Sequence, residues 1–217
     1  ISPEVVQDRF QEAINLVWNN HIENDGFNRL LFRTNLSIWQ IQLLRAYCKY
    51  IKQIGFNLSQ YLIEETLATY PKIAEDLVLL FEARFDPALS DIERNNEVAT
   101  LIEALEGRFE FVTTLDQDRI IRKFYNLILS TVRTTAYQTY PDGSYKPYIS
   151  FKFDCSLIEE LPLPRPMYEI FTYSPRMEAV HLRGGKVARG GIRWSDRRED
   201  FRTEVLNLVK AQMIKNA

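Results

Sequence analysis

Four of the chain's eight glycines lie within eight residues, in Arg183-Gly184-Gly185-Lys186-Val187-Ala188-Arg189-Gly190-Gly191-Ile192-Arg193-Trp194-Ser195. Two glycine pairs, four basic side chains and a tryptophan thus sit just ahead of a helical pattern running from Arg198 to Asn216. Paired glycines let a backbone turn sharply or come close to a ligand, and cations around such a turn suit an anion. The spacing predicts one helix face made of Phe201, Val205, Leu208, Gln212 and Lys215, apolar for two turns and then polar. A lysine on the buried face of a helix needs an anionic partner; the alternative is that Lys215 is the solvated end of a fraying helix. Ser195-Asp196 is expected to cap this helix, with Glu199 and Asp200 at its positive end.

Several uses of glycine compete for this segment. A phosphate loop fails, because Gly185 and Gly190 have the spacing but Gly191 stands where lysine is required, and the G-x-G-x-x-G dinucleotide fingerprint is absent. Arg183-Gly-Gly and Arg189-Gly-Gly resemble the Arg-Gly-Gly segments that bind RNA, though only two copies occur, between a β-prone run and a strong helix. The structural alternative is a hairpin or bulge that needs glycine, with its arginines in surface ion pairs. Elsewhere the Glu64-Glu65, Asp116 and Asp118 carboxylates read as solvated helix faces, and Tyr47 and Tyr50 as packing. His21 and His181 are the only histidines, which suits neither a multi-histidine metal site nor a Ser-His-Asp triad; His181 reads as structural.

The elements around this segment follow from periodicity and punctuation. The chain has 217 residues, 46% hydrophobic and 26% charged, with a net charge of −2, so no global basic field draws it to nucleic acid or membrane. No apolar run approaches a membrane span, and Ile1-Ser2-Pro3-Glu4 has no signal-peptide layout. Cys48 and Cys155 are expected as buried free thiols in a reducing, cytoplasmic setting. Helices are expected from Ser2-Pro3 (Val6, Phe10, Ile14, Val17, Trp18), from Ser37 (Ile41, Leu44, Cys48, Ile51, closed by Gly55), from Ser59 (Leu62, Thr66, Leu67) and from Pro71 to Asp86-Pro87, with Asn24-Asp25-Gly26 as a break. Two more are expected, over Ser90–Glu106 and from a capping Asp116 through Ile120, Phe124, Leu127, Ile128 and Val132. Lys146–Asp154 then alternates with period two, Met167–Tyr173 and Glu178–Leu182 are β-prone, and Leu161–Pro166 is a rigid connector. The fold class is α+β and multidomain: an all-α region over residues 1–142, then the opening strands and helix of an α/β domain over 143–217. Ile214-Lys215-Asn216-Ala217 leaves the last helical pattern without a stop signal, so an internal piece of a longer polypeptide is expected.

The run Arg189-Gly190-Gly191-Ile192-Arg193-Trp194-Ser195, followed by Gln212-Met213-Ile214-Lys215-Asn216-Ala217, resembles the glutamate dehydrogenase motif, in which Lys-Gly-Gly-Ile-Arg precedes a helix ending in lysine. The wording from His181 through Glu204 resembles more specifically the large bacterial NAD-specific enzymes. Glu23–Leu30 and Leu43–Tyr47 are similar to them too, so the likeness covers most of the chain. The resemblance implies that Arg189 stands where shorter enzymes use lysine for the substrate's side-chain carboxylate, and that Lys215 takes the α-carboxylate. Gln212 would add a polar contact, and Gly190 and Gly191 would bring the backbone close. Arg193 and Ser195 would support the site without touching substrate. It further implies a parent that converts L-glutamate, NAD and water to 2-oxoglutarate, ammonium and NADH, acts in glutamate catabolism, and forms a homo-oligomer. The catalytic lysine and the NAD domain would lie beyond Ala217, so this piece alone would be inactive. The residues alone leave two other functions open: an Arg-Gly-Gly nucleic-acid module, against which the charge balance argues, and a helical regulatory or oligomerisation module.

Overall fold

The computed structural model describes residues 3–185 and 192–214, with side chains described over 7–185 and 192–211. They fall into two compact units: Ile1–Cys48 with Leu58–Ile128, and Lys49–Asn57 with Leu129–Ala217. The elements run α1 (Pro3–Trp18), a short 3-10 turn (Gly26–Arg29), α2 (Leu30–Arg33), α3 (Ile38–Gln53), α4 (Gln60–Thr69), α5 (Pro71–Phe85), α6 (Asp91–Phe109), α7 (Leu115–Ser130), β1 (Thr131–Thr134), β2 (Ile149–Asp154), β3 (Tyr168–Ser174), β4 (Met177–Arg183) and α8 (Phe201–Ile214).

The first unit is helical, and its punctuation is chemical. Ser59 Oγ accepts from the Leu62 amide to start α4, and Ser90 and Glu93 close a reciprocal capping box on α6. Ser37 and Gln40 exchange the same pair of bonds at the head of α3. Pro71 opens α5, where its missing N–H costs nothing. The core gathers Phe27, Leu30, Leu44, Tyr47, Ile63, Leu67, Leu77, Phe81, Leu105 and Phe124, all buried. Inside it, Arg45 donates from Nε and Nη2 to the two oxygens of Asp25 at 2.7 and 2.8 Å and to Asn28 at 2.9 Å, over the ring of Phe27. Glu64 is buried rather than solvated and accepts from Gln60 at 2.7 Å. Gly26 explains why: a Cβ there would come within 3.0 Å of the Glu64 side-chain carbons, so only glycine leaves room for this carboxylate.

The second unit is an antiparallel meander in the order β1-β2-β3-β4. Phe151 pairs with Phe171, which pairs with Val180, while Glu169 pairs with Leu182. Period-two alternation turns Ile149, Phe151 and Phe153 of β2 and Glu169, Phe171 and Tyr173 of β3 to the buried side. Tyr50, from the last turn of α3, stacks on Phe153 at 4.3 Å and lies 5.3 Å from Phe171. Gly55, at φ +82°, ends that helix in the left-handed region.

Three expectations are corrected. The helix predicted through Val132 stops at Ser130, and Val132 belongs to β1: Thr131, Val132 and Thr134 are β-branched, and Thr131, Arg133 and Thr134 pair with Phe153, Lys152 and Phe151, the register shifting between Thr131 and Arg133. Its N-terminus is capped by Thr114, whose Oγ1 accepts from Gln117, while Asp116 sits in the first turn. The strand predicted from Lys146 starts at Ile149, because Pro147 has no N–H for a ladder. The predicted Ser2 cap lies outside the described residues.

Gly26→Ala is expected to destabilise the protein by about 1–3 kcal/mol through overpacking, read as a lower urea midpoint. Glu64→Ala in the same chain should remove most of that penalty; an unchanged midpoint for Gly26→Ala alone would contradict the packing described.

Candidate functional site

The glycine-rich segment leaves β4 at Arg183, whose Nε donates to the Gly185 carbonyl at 3.0 Å. Arg189, Gly190, Gly191 and Lys215 lie outside the described residues. Gln212 lies within α8, with no side chain described. The two remaining residues of the predicted site are in view. Arg193 Nε pairs with Glu204 Oε2 at 3.0 Å, tying the chain after the glycines to the first turn of α8. Ser195 does not cap that helix. It lies six residues ahead of it, and its Oγ accepts from the Arg197 amide at 3.2 Å in a local turn. Turns occupy 198–200, Arg197 is ion-paired with Asp200, and the Arg197 carbonyl accepts from the Phe201 amide at 3.1 Å.

The inward face of α8 also differs from expectation. Among its described residues Arg202 and Leu206 are buried, whereas Phe201 and Val205 are half-buried and Leu208 is 51% exposed. At 3.6 residues per turn, the predicted stripe lies about a third of a turn from the buried line. It forms an open flank of the helix. The rotation has a direct cause, because a buried carboxylate waits for Arg202. Its Nε and Nη2 donate to the two oxygens of Glu169 at 2.7 and 2.8 Å, and both side chains are almost wholly removed from water.

Gln53 completes the arrangement from α3. Its Oε1 accepts from the Arg202 amide at 3.2 Å, and its Nε2 donates to the Arg198 carbonyl at 2.7 Å and to Glu178 at 3.3 Å. Amides at a helix start have no partner within the helix, and Gln53 supplies one. Burial pushes the Glu169 carboxyl upward, opposed by the hydrogen bonds and charge of Arg202. The Tyr50 hydroxyl lies beside the same carboxylate and is raised well above the usual phenol range by burial and then by Glu169. Burial likewise pushes the Cys155 thiol up to about 12. These groups are satisfied or held neutral, so their chemistry is positional. The sequence held two local signs of this cluster: a glutamate at an inward position of an alternating strand, and an arginine four residues before Leu206 on α8.

The surface grooves elsewhere have other linings. A groove of about 490 Å³ between α5 and α6 is edged by Glu82, Asp86 and Glu97, the wrong sign for an anionic ligand. Among the described residues no helix is long and apolar enough to cross a membrane.

Residues 104–217 match the family model described as the catalytic domain of bacterial NAD-glutamate dehydrogenase, and residues 22–87 match glutamate dehydrogenase helical motif 3. The chain is 50% identical over 213 residues to the NAD-specific glutamate dehydrogenase of Halomonas elongata, which covers 96% of this chain and 13% of that protein. The enzymes of the same name from Mycobacterium tuberculosis and Pseudomonas aeruginosa are 48% and 49% identical, over 96% and 99% of this chain. The chain again spans 13% of each of those two.

Two outcomes follow from the buried cluster. Arg202→Met strands the Glu169 carboxylate and should cost about 3–5 kcal/mol, whereas the paired Glu169→Met/Arg202→Met change should cost less than the two singles summed; additive losses in urea unfolding would contradict the coupling. Cys155 and Tyr50 hold their protons more tightly folded than unfolded. Their stabilisation is therefore intact below about pH 9 and is lost as pH rises toward about 12. The melting temperature should fall over that alkaline range, with a shallower slope in Cys155→Ala; equal slopes would contradict the assignment.

Proposed function

Since the chain belongs to the bacterial NAD-glutamate dehydrogenase family, we propose that it is the part of that enzyme where the helical region gives way to the glutamate-binding domain. The observation that carries this reading is the Arg193–Glu204 pair, which joins the chain leaving the glycine-rich run to the helix that carries Gln212. The open flank of α8 supports it as well, because a substrate-binding face must not be packed into the core.

On this reading the parent oxidises L-glutamate to 2-oxoglutarate and ammonium, in the cytoplasm and as a homo-oligomer. Glutamate presents two carboxylates separated by its carbon chain, and a site for it needs two separated cations. Arg189 takes the side-chain carboxylate with a bidentate fork, and Lys215 takes the α-carboxylate. Gln212 adds a polar contact, and Gly190 and Gly191 let the backbone approach. Each charge-assisted hydrogen bond contributes about 1.5–3 kcal/mol. Such contacts hold substrate and transition state nearly alike, so they govern affinity and orientation more than rate.

NAD accepts the hydride in this chemistry. The residues described here do not fit it: dinucleotides bind at a glycine turn between a parallel strand and a helix, whereas these four strands form an antiparallel meander. We assign NAD and the catalytic lysine to other parts of the parent, and expect this piece alone to be inactive. An RNA-binding role for the Arg-Gly-Gly run is less well supported, because the chain has a net charge of −2 and the neighbouring Arg193 already faces Glu204.

In the full-length enzyme, Arg189→Ala and Lys215→Ala should each raise KM for glutamate about tenfold or more with a smaller change in kcat. Unchanged KM in both variants would remove these assignments.

A further inference from the structure

The contacts that hold α8 are unusually directional. Leu206 is the only apolar side chain of this helix that is fully buried among the described residues, and apolar burial alone fixes neither rotation nor slide. Four hydrogen bonds do: two from the Arg202 guanidinium to Glu169 of β3, one from the Arg202 amide to Gln53, and one from Gln53 to the Arg198 carbonyl. All partners belong to one compact unit. Together they hold one residue of α8 by both side chain and backbone, and grip the turn just before it. Loss of that grip lets the helix roll, and a step of one residue corresponds to about 100°.

We propose that Glu169, Arg202 and Gln53 are positioning residues that set the rotation of α8 and so aim its open flank, the line of Phe201, Val205 and Leu208 that continues to Gln212, at the amino-acid substrate. This inference rests on the glutamate-binding reading given above. It separates two jobs that the same helix performs. The line through Arg202 and Leu206 anchors the helix, and the line about a third of a turn away serves the ligand. Neither the ion pair nor Gln53 needs to touch substrate for this.

The test uses the full-length enzyme with Arg202→Lys, Glu169→Gln and Gln53→Ala, varying glutamate and NAD separately. Arg202→Lys keeps the charge and loses the fork, whereas Gln53→Ala keeps the ion pair and loses the bonds to α8 and its preceding turn, together with one bond to Glu178 of β4. The expected result is a rise of about tenfold in KM for glutamate, with KM for NAD within about twofold of the parent value. The inhibition constant of glutarate, a dicarboxylate that cannot react, should rise in parallel. A purely structural role would lower the melting temperature and the active fraction while leaving both KM values alone. That result, or a joint rise of both KM values, overturns the proposal. If the Glu169 and Arg202 variants do not fold, Gln53→Ala carries the same readout. Arg189→Ala and Lys215→Ala are measured alongside. If they raise KM while the three positioning variants do not, the rotation proposal alone fails. If the positioning variants raise KM and these two do not, the glutamate contacts are misassigned and the role of Glu169, Arg202 and Gln53 stands.

Discussion

A carboxylate and a guanidinium removed from water together cost several kcal/mol each in lost hydration, recovered only when their geometry is good and the remaining polar atoms are satisfied. Glu169 and Arg202 meet that demand with two parallel hydrogen bonds. Much of the second unit follows from this requirement. The alternation of β3 must turn Glu169 inward beside Phe171 and Tyr173, and α8 must turn Arg202 toward the sheet. Tyr50 seals the apolar side by stacking on Phe153, a contact of about 0.5–1.5 kcal/mol beyond its burial. The pair thus contributes more to specificity than to net stability: it admits one rotation of α8 and penalises the others.

The helical unit meets the same problem separately. Arg45 is buried and grips Asp25 with two hydrogen bonds, while Asn28 takes a third. Asp25 also accepts from the Phe27 amide, so one carboxylate both caps the short turn and neutralises the arginine. In each unit a buried arginine fork fixes an element that propensity alone would leave loosely placed.

The helices were legible because their start signals are local. Ser37, Ser59, Pro71 and Ser90 each act within three residues of their own position. The alternation of β2 and β3 was legible for the same reason. What was missed depends on distant partners. Val132 fits the apolar spacing of α7 as well as a strand, and the pairing of its neighbours Thr131 and Arg133 with β2 decides it. Arg202 reads as a polar break in an amphipathic pattern, which makes Phe201, Val205 and Leu208 the expected buried line; its partner lies 33 residues away. Glu64 looked solvated until Gly26, in another element, opened a place for it. Of the site, the chemistry was legible and the geometry was not. Paired glycines with flanking cations announce an anion, while the anchoring of α8 is a tertiary fact.

Helix α8 therefore carries two lines: an anchor at Arg202 and a substrate-facing flank about a third of a turn away. The most direct test is the crystal structure of the full-length enzyme with glutarate bound. The account predicts one carboxylate on the Arg189 guanidinium, the other on the Lys215 ammonium, and the Glu169–Arg202 pair intact beneath α8. Glutarate bound away from α8, or an α8 rolled so that Arg202 has left Glu169 while both carboxylates are still held, would contradict it.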